Sequence, residues 1–297
     1  MKGIGGIQMA DQCQTNEKTE RGVQEGGAQT KRVRKLPGVK HIIAVASGKG
    51  GVGKSTVAVN LAIALKQLGF KVGLLDADIY GPSIPIMTNI VGAPLAKGST
   101  EDFVAPVENH GLKLMSLGLF AGTTQSIIWR GPMVHKILEE FVTRVEWGIL
   151  DYLVVDLPPG TGDAPLSLSQ LIPLTGAVVV TTPQVVSLAD VERCVDMFRK
   201  VNIPLLGVIE NMSYYKCPSC SHRDEIFSHG GGAEASRKWG IPYLGEIPLN
   251  VAVRRGGDEG IPITVSARES EEAQAFLRVA EGLTHTIGKT VTLNIIQ

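Results

Sequence analysis

The stretch that decides the fold runs from Gly48 to Ser55 and reads GKGGVGKS. It matches the phosphate-binding pattern G-x-x-x-x-G-K-[ST]. Glycines let backbone N–H groups turn inward around phosphates, and the N-terminus of the following helix adds a partial positive charge. A glycine-rich turn between a strand and a helix is the structural alternative, and the complete match in this context disfavours it. The stretch therefore predicts a nucleotide-binding loop.

Several positions of the loop have an expected role at a bound nucleotide. Lys54 is expected to reach the β- and γ-phosphates, and the Ser55 hydroxyl is expected to bind Mg²⁺. Because Lys54 already serves its own nucleotide, the earlier Lys49 is expected to project outward. The residues predicted to contact the nucleotide here are Gly48, Lys49, Gly50, Gly51, Val52, Gly53, Lys54, Ser55 and Thr56.

The sequence around the loop alternates between apolar strands and amphipathic helices. Strands are predicted at His41–Ser47, Lys71–Asp78, Leu112–Gly118, Gly176–Pro183, Pro204–Met212 and Pro242–Leu249. The stretch Asp151–Gly160 is predicted as a strand that runs into a proline-glycine loop. Helices are predicted at Lys54–Gly69, Pro132–Trp147, Ser187–Val201 (with Ser187 as N-cap) and Ser270–Gly288. This pattern predicts an α/β fold, with a mostly parallel β-sheet and helices on both faces. Ligands of such sheets bind at the carboxyl ends of the strands.

Acidic residues stand at the carboxyl ends of two predicted strands. Asp76 and Asp78 end one of them, and a carboxylate there can orient an attacking water, although a strand-end cap is the alternative. Asp76 is expected to hold the following loop by hydrogen bonds. Asp156 follows the apolar run YLVV and is expected near Mg²⁺ through a bound water. Asp163, in the loop LPPGTGD, is a further candidate for this network.

Two of the chain's four cysteines lie in the stretch CPSC, at Cys217 and Cys220. This spacing lets both thiolates bind one metal, but zinc and [4Fe–4S] clusters each need four ligands. His222 or His229 could supply a third ligand to zinc, although the preferred interpretation is that both are loop histidines without a metal. Cys194 falls within a predicted helix and is expected to be a small buried residue.

Length and composition bound the class of protein. The 297 residues are 43% hydrophobic, with 29 basic and 29 acidic residues, so the whole chain gives no charge argument for binding DNA or an anionic membrane. Residues 1–37 are polar and predict a disordered tail, and residues 38–297 predict one ATPase domain. The sequence has no signal-peptide core and too few cysteines for a disulfide scaffold, so a reduced, cytoplasmic location is expected.

The motifs taken together resemble one family. GKGGVGKST, LLDADIYGPS, DYLVVDLPPGTGD, IENMSYYKCPSC and GEIPL occur in this order. They are similar to those of the Mrp/ApbC family, ATP-binding iron–sulfur cluster carriers with a P-loop NTPase fold and a deviant Walker A loop. The resemblance covers about residues 38–285. The N-terminal domain of many bacterial relatives is not expected here, and Cys13 alone precedes the loop where some eukaryotic relatives have four cysteines.

The resemblance implies a function and site roles. It implies a homodimer in which Lys49 reaches the partner's nucleotide and Asp78 orients water, so that Lys49, Lys54 and Asp78 are the catalytic residues. It implies adenine contacts from Asn211 and Pro248, for which a strand-end turn is the alternative. Cys217 and Cys220 of two copies would bind one [4Fe–4S] cluster, which slow ATP hydrolysis would help to transfer to apo-proteins.

Two other functions stay open at this point. A positioning ATPase of the MinD/ParA type would bind membrane or DNA, and the CPSC stretch and the neutral charge argue against it. A zinc-stabilised nucleotide-binding regulator would use Cys217 and Cys220 for zinc. No nucleic acid and no stable membrane association are expected. Trp129 and Arg130 are expected near the dimer surface, with simple burial as an equal alternative.

Overall fold

The structure is a computed structural model that describes residues 36–78, 81–100, 103–119 and 143–296. Several expectations fall on residues outside these ranges. They concern residues 1–35 of the predicted tail with Cys13, the pair Trp129 and Arg130, and residues 132–142 of a predicted helix.

Within the described residues, nine strands form one sheet. They are β1 (Val39–Ala46), β2 (Val72–Asp76), β3 (Val107–Asn109), β4 (Leu112–Ser116), β5 (Leu150–Asp156), β6 (Gly176–Thr181), β7 (Leu205–Lys216), β8 (Arg223–Asp224) and β9 (Tyr243–Leu249). Their order is β3-β4-β2-β5-β1-β6-β7-β8, and β9 also pairs with β7. The pairing is parallel except at β3–β4 and β7–β8. The predicted mostly parallel sheet is confirmed.

Helices follow most of the strands. They are α1 (Lys54–Gln67), α2 (Ile84–Met87), α3 (Asp163–Leu171), α4 (Val185–Lys200), α5 (Gly231–Trp239), α6 (Val251–Asp258), α7 (Ile263–Ser266) and α8 (Glu271–Ile296). The sequence analysis identified α1, α4 and most of α8, and it missed the shorter helices. In those segments, glycine, proline and polar residues hide the helical period, and tertiary packing supplies the stability that local propensity lacks.

Apolar side chains alternate between the two faces of the sheet. On β1, Ile43 and Val45 belong to a buried cluster that includes Leu61 of α1 and Phe276 of α8. The alternate residues of β1 belong to a second buried cluster on the opposite face, together with Cys194 and Phe198 of α4. These alternate residues are Ile42, Ala44 and Ala46. The α/β fold with helices on both faces is therefore confirmed, and it leaves the carboxyl ends of the central strands open for a ligand.

Several predicted boundaries were wrong, and the last helix, α8, ends at Ile296 instead of Gly288. Helix α4 begins at Val185, and its N-cap residue is Gln184, so Ser187 lies inside the helix. The Ser187 hydroxyl is buried and lies 2.7 Å from the Thr182 hydroxyl, so it serves tertiary packing instead of capping. The helix predicted to reach Trp147 has ended by Val145, which pairs with Val104. Strand β7 continues past Met212 to Lys216, directly before Cys217.

Candidate functional site

A cleft lies at the carboxyl ends of the central strands. The loop that forms it joins β1 to α1. The cleft has a volume of about 260 Å³. It is lined by Ser47, Lys49, Gly50, Gly51, Gly53, Lys54, Ser55, Thr56, Asp78, Ser83, Met87 and Pro159. Seven of these belong to the predicted nucleotide-contacting set, and the cleft lies at the carboxyl ends of the strands, where a phosphate-binding loop is expected.

Backbone conformation and close packing explain the glycines at both ends of the loop. Gly53 has φ of 82°, and a Cβ there would lie 2.2 Å from Nδ2 of Asn211. A Cβ on Gly48 would lie 2.3 Å from the carbonyl oxygen of Asp190, in α4. Side chains at these two positions would therefore force the loop away from its neighbours.

Lys54 meets the two acidic residues that the sequence analysis selected. Its Nζ lies 2.7 Å from Oδ1 of Asp156 and 3.6 Å from Oδ2 of Asp78. The same Nζ lies 3.3 Å from Oγ of Ser55. All four groups thus share one small volume, although they come from α1 and from the ends of two different strands.

Two carboxylate oxygens at this site have no hydrogen-bond partner among the described residues. They are Oδ2 of Asp156 and Oδ1 of Asp78, and both are buried. Burial raises the pKa of Asp156, while the Lys54 ammonium group opposes that rise. Unpartnered carboxylate oxygens beside a serine hydroxyl form a donor set that suits Mg²⁺, a cation that prefers oxygen ligands. The residues therefore fit the predicted metal.

Asp76 has the hydrogen-bonding role that was expected of it. Its carboxylate accepts from the backbone N–H groups of Asp78 and Ile84, at 3.1 and 3.2 Å, and from the Ser116 hydroxyl at 2.9 Å. Burial and the negative charge of Asp156 nevertheless raise the pKa of Asp76 to about 7. Asp76 thus fixes the start of α2, whose Met87 lines the cleft.

Lys49 also lines the cleft. The Ser47 hydroxyl donates to the Lys49 carbonyl at 2.9 Å, which fixes the backbone there. No hydrogen bond or ion pair joins the Lys49 side chain to another described residue. Its ammonium group is thus available to a phosphate, and its expected reach into a partner subunit stays a prediction.

Asn211 lies behind the loop instead of inside the cleft. Its Nδ2 donates to the Val52 carbonyl at 2.9 Å, and the residue is buried. Pro248 is also buried, on β9, and neither residue lines the cleft. The Asn211 amide therefore holds the loop in place, and the adenine contacts of Asn211 and Pro248 stay predictions.

The cysteine pair lies in the tight connection between β7 and β8. The Cys217 N–H donates to the His222 carbonyl at 2.9 Å, and the Ser221 N–H donates to the Cys217 carbonyl at 2.8 Å. Backbone N–H groups of Cys220 and Ser219 donate to the Cys217 sulfur and lower the pKa of its thiol. Cys217 is half-buried and Cys220 is exposed. Two accessible thiols in a turn that favours the thiolate suit metal binding.

The histidines near the cysteines have other surroundings. His222 is exposed. The Nδ1 atom of His229 lies 3.6 Å from Oε1 of Glu210 and 3.5 Å from Oε2 of Glu246. These three residues are spaced closely enough to hold a metal ion. However, the Ser213 hydroxyl and the Arg223 guanidinium group already bond to them, so the group is a satisfied polar network.

The sequence analysis missed this network. Its members are Glu210, Ser213, Arg223, His229 and Glu246, which lie on three strands and a loop. Glu210 directly precedes Asn211, which the motifs had singled out. Two consecutive polar residues in a buried strand were the sequence signal for a buried polar network. The expectation for Cys194 was confirmed, because it is fully buried and burial raises the pKa of its thiol to about 12.

Asp163 begins α3, and its place in the acidic network stays a prediction. Among the described helices, none combines the length and the apolar character that a bilayer-spanning segment requires.

The chain matches a protein-family profile and is similar in sequence to iron–sulfur carrier proteins of other organisms. Residues 38–284 match the profile of a ParA-group family described as NUBPL iron-transfer P-loop NTPase. An iron-sulfur cluster carrier protein of Aquifex aeolicus is 54% identical over 259 residues, which cover 87% of this chain and 71% of the relative. The iron-sulfur cluster transfer protein NUBPL of Mus musculus is 47% identical over 247 residues, with coverage of 82% and 77%.

Solved structures share the fold. A nucleotide-binding protein of Archaeoglobus fulgidus, in complex with ADP, is 38% identical with a TM-score of 0.71, and the match covers 82% of this chain and 94% of that one. The cell division ATPase MinD of Pyrococcus furiosus is 25% identical with a TM-score of 0.62, with coverage of 82% and 98%.

Proposed function

Because this chain belongs to the family of NUBPL iron-transfer P-loop NTPases, we propose that it binds a [4Fe–4S] cluster between two copies of itself and passes the cluster to apo-proteins. Membership already makes it a nucleotide-binding P-loop NTPase of the iron–sulfur carrier class. The proposal adds the type of cluster, the place where it binds, the homodimer and the transfer of the cluster to apo-proteins.

The observation that carries the proposal is the accessible pair of thiols at Cys217 and Cys220. A [4Fe–4S] cluster needs four cysteine ligands, and this turn supplies two. A two-fold axis would duplicate the pair and complete the ligand set. Such a cluster would lie near the protein surface and would be shared, so that a small movement of one subunit could release it.

The nucleotide site supports a role of ATP binding and hydrolysis in the proposed cluster transfer. Lys54 and the backbone N–H groups of the loop would hold the phosphates of ATP, while Ser55 and Asp156 would hold Mg²⁺. The bound Mg²⁺ would neutralise phosphate charge. Asp78 would orient the attacking water, and Lys49 of the partner subunit would stabilise the charge on the transferring phosphoryl group. Hydrolysis would be slow and would act as a switch.

Zinc remains the alternative occupant of the cysteine pair. Tetrahedral zinc also accepts four thiolates, and the same turn would suit it. The MinD/ParA alternative, a positioning ATPase, rests on the shared fold, and the cysteine pair gives it no support. A cytoplasmic location, with neither nucleic acid nor membrane as a stable partner, stays part of the proposal.

Anaerobic reconstitution with iron and sulfide tests the proposal. We expect visible absorption typical of a cluster, with about four iron atoms per two chains. Cys217→Ala and Cys220→Ala should each lose the cluster, whereas the control Cys13→Ala should keep it. Iron content close to that of the unmodified chain in both site variants would contradict the proposal. Zinc retention without uptake of iron and sulfide would favour the zinc alternative.

Transfer is tested with the loaded protein. Incubation with an apo-ferredoxin should move the cluster to the acceptor faster than free iron and sulfide assemble it there. A chelator that intercepts free iron should leave this transfer intact. Acceptor loading that the chelator abolishes would show that the chain only releases iron.

A further inference from the structure

One strand connects the nucleotide loop to the cysteine pair. Strand β7 carries Asn211, whose amide bonds to the Val52 carbonyl, and it ends at Lys216, directly before Cys217. Five residues separate Asn211 from Cys217. At about 3.3 Å per residue in a strand, they span at most about 20 Å. A shift of the loop therefore has a short covalent path to the thiols.

The pairing of this strand is interrupted between the two sites. Asn211 pairs with Ile247 and Tyr215 with Leu249, so three residues of β7 lie opposite the single residue Pro248. Pro248 has no N–H group to donate to the ladder, which suits it to such an interruption. Met212, inside the bulge, has φ of 55°. A residue other than glycine in this region is held there by its surroundings, so the bulge is a built feature.

The bulge contacts the nucleotide loop on one side. Asn211 and Met212 both lie against Gly53, where a Cβ would be 2.2 Å from the Asn211 amide and 3.6 Å from the end of the Met212 side chain. Gly53 directly precedes Lys54, the residue expected to bind the phosphates. A change in the loop on nucleotide binding would thus press directly on the bulge.

On its other side the bulge is held by Ser213. Its Oγ is buried and lies 2.5 Å from Oε1 of Glu210, 3.1 Å from Oε2 of Glu246 and 3.2 Å from Nδ1 of His229. Glu210 is itself fully buried and accepts from the N–H groups of Gly230 and Gly232. The Ser213 hydroxyl thus joins β7 to β9, and Glu210 extends this network to the start of α5.

The hairpin that bears the cysteines is tied to the same network. The guanidinium group of Arg223, on β8, lies 3.7 Å from the centre of the Tyr214 ring and within 3.5 Å of Glu246. The Tyr214 hydroxyl donates to Glu271 at 2.8 Å, and Lys216 pairs with the same carboxylate at 2.7 Å. Each contact fixes a residue within six positions of Cys217.

We propose that Ser213 is a positioning residue that couples the nucleotide loop to the cysteine pair through the bulge in β7. The inference rests on the proposed carrier function, since it concerns how nucleotide changes the release of a cluster. Ser213 touches neither the nucleotide cleft nor the thiols. It acts by holding the bulge between Gly53 and the hairpin, so that movement at one end reaches the other.

The test compares cluster release to an iron chelator with and without ATP. In the unmodified chain the two rates should differ about 5-fold or more, the usual lower range of coupling between sites. In Ser213→Ala the ratio should fall to about one. Iron per chain and ATP affinity should stay within about 2-fold of the unmodified values, because Ser213 contacts neither binding site. Ser213→Thr keeps the hydroxyl and should restore most of the ratio.

A control elsewhere in the fold is Ser266→Ala, which removes the hydroxyl that an exposed serine on α7 donates to the Pro262 carbonyl. It should leave the ratio unchanged. If Ser213→Ala does not fold, Glu246→Gln tests the same link, because Glu246 is partly exposed and bonds to both Ser213 and Arg223. This variant should also lower the ratio.

The outcomes separate the inference from the proposed function. An unmodified chain that takes up no cluster refutes the carrier proposal itself. A chain that carries a cluster with equal release rates with and without ATP leaves that proposal intact and overturns the coupling. The coupling is also overturned if the folded Ser213→Ala variant, or Glu246→Gln in its place, keeps the full ratio, or if Ser266→Ala loses it equally.

Discussion

At the scale of single residues, the site depends on charges held away from water. Lys54 is 6% exposed and lies between two carboxylates, one of which is completely buried. A buried ion pair of this kind adds little net stability, but the removal of one partner leaves an uncompensated charge. Lys49, in contrast, has no bonded partner among the described residues, so the two lysines of the loop should respond differently to substitution.

Lys54→Ala should abolish detectable ATP binding and should destabilise the chain by about 3–5 kcal/mol, because Asp156 and Asp78 lose their cation. Lys49→Ala should keep ATP affinity within about 3-fold and lower the hydrolysis rate at least about 100-fold, as expected for a residue that stabilises transferring charge. Nucleotide titration and steady-state hydrolysis measure both. Equal loss of binding in the two variants would refute the separate roles.

Asp76 predicts a pH effect on stability. Its ordinary pKa of 3.8 applies in the unfolded chain, and burial raises it to about 7 in the folded chain. Between these values the folded chain holds a proton that the unfolded chain lacks. The contribution of Asp76 to the free energy of unfolding therefore falls as pH rises from about 4 to about 7.

Thermal unfolding of the nucleotide-free chain, measured across this pH range, tests the effect. The Asp76→Asn variant has no carboxyl group to titrate, so the unfolding temperature of the unmodified chain minus that of the variant should fall as pH rises. Asp258→Asn, at an exposed ion pair, should give a difference that hardly varies with pH. A constant difference for Asp76→Asn would contradict the prediction.

At the scale of elements, the loop between β1 and α1 fits because its glycines meet neighbouring elements. Gly53 lies against β7 and Gly48 lies against α4, so the loop depends on both. Gly50 differs from them: it has no positive φ, and a Cβ there would meet nothing within 4 Å. The two glycines thus form a matched pair for substitution.

Gly53→Ala should lower the unfolding temperature by about 3 °C or more, because a side chain at φ of 82° costs about 1–2 kcal/mol before its clash with Asn211. Nucleotide affinity should fall with it. Gly50→Ala should change the unfolding temperature by less than about 1 °C, since surface changes usually stay within about 0.5 kcal/mol. Similar unfolding temperatures for the two variants would show that the contact with Asn211 does not restrain the loop.

At the scale of the whole molecule, the proposed homodimer needs a surface beside the nucleotide loop. Val185 and Val186 begin α4, at the carboxyl end of β6, and are 81% and 68% exposed. Exposed adjacent aliphatic side chains suit the apolar part of a protein interface. Ile149 is equally exposed, at 69%, but precedes β5 at the opposite ends of the strands.

Val186→Asp should therefore weaken self-association in the presence of ATP by about 10-fold or more in the dimer Kd, since a charge would enter the interface. Ile149→Asp should leave the dimer Kd unchanged. Sedimentation measured over a range of protein concentrations distinguishes the two. A loss of dimer in Ile149→Asp with none in Val186→Asp would show that the dimer interface lies near Ile149, at the opposite ends of the strands.

The sequence by itself determined the loop, the parallel sheet and the cysteine pair. Each of these depends on local spacing or on the period of apolar residues, which can be read along the chain. The loop motif also selected Lys54 and Ser55. Asp78 and Asp156 were selected because residues at the carboxyl ends of parallel strands meet at the same side of the sheet. The structure confirmed that their side chains come together.

Tertiary structure alone decided how that site connects to the rest of the molecule. Asn211 bonds to Val52 across 159 positions of sequence, and no local pattern predicts such a pairing. Strand β7 continues past Met212 because β9 and β8 pair with it, and its bulge exists because several elements hold Ser213. Contacts between distant residues follow from packing and satisfied burial, and these are properties of the folded chain.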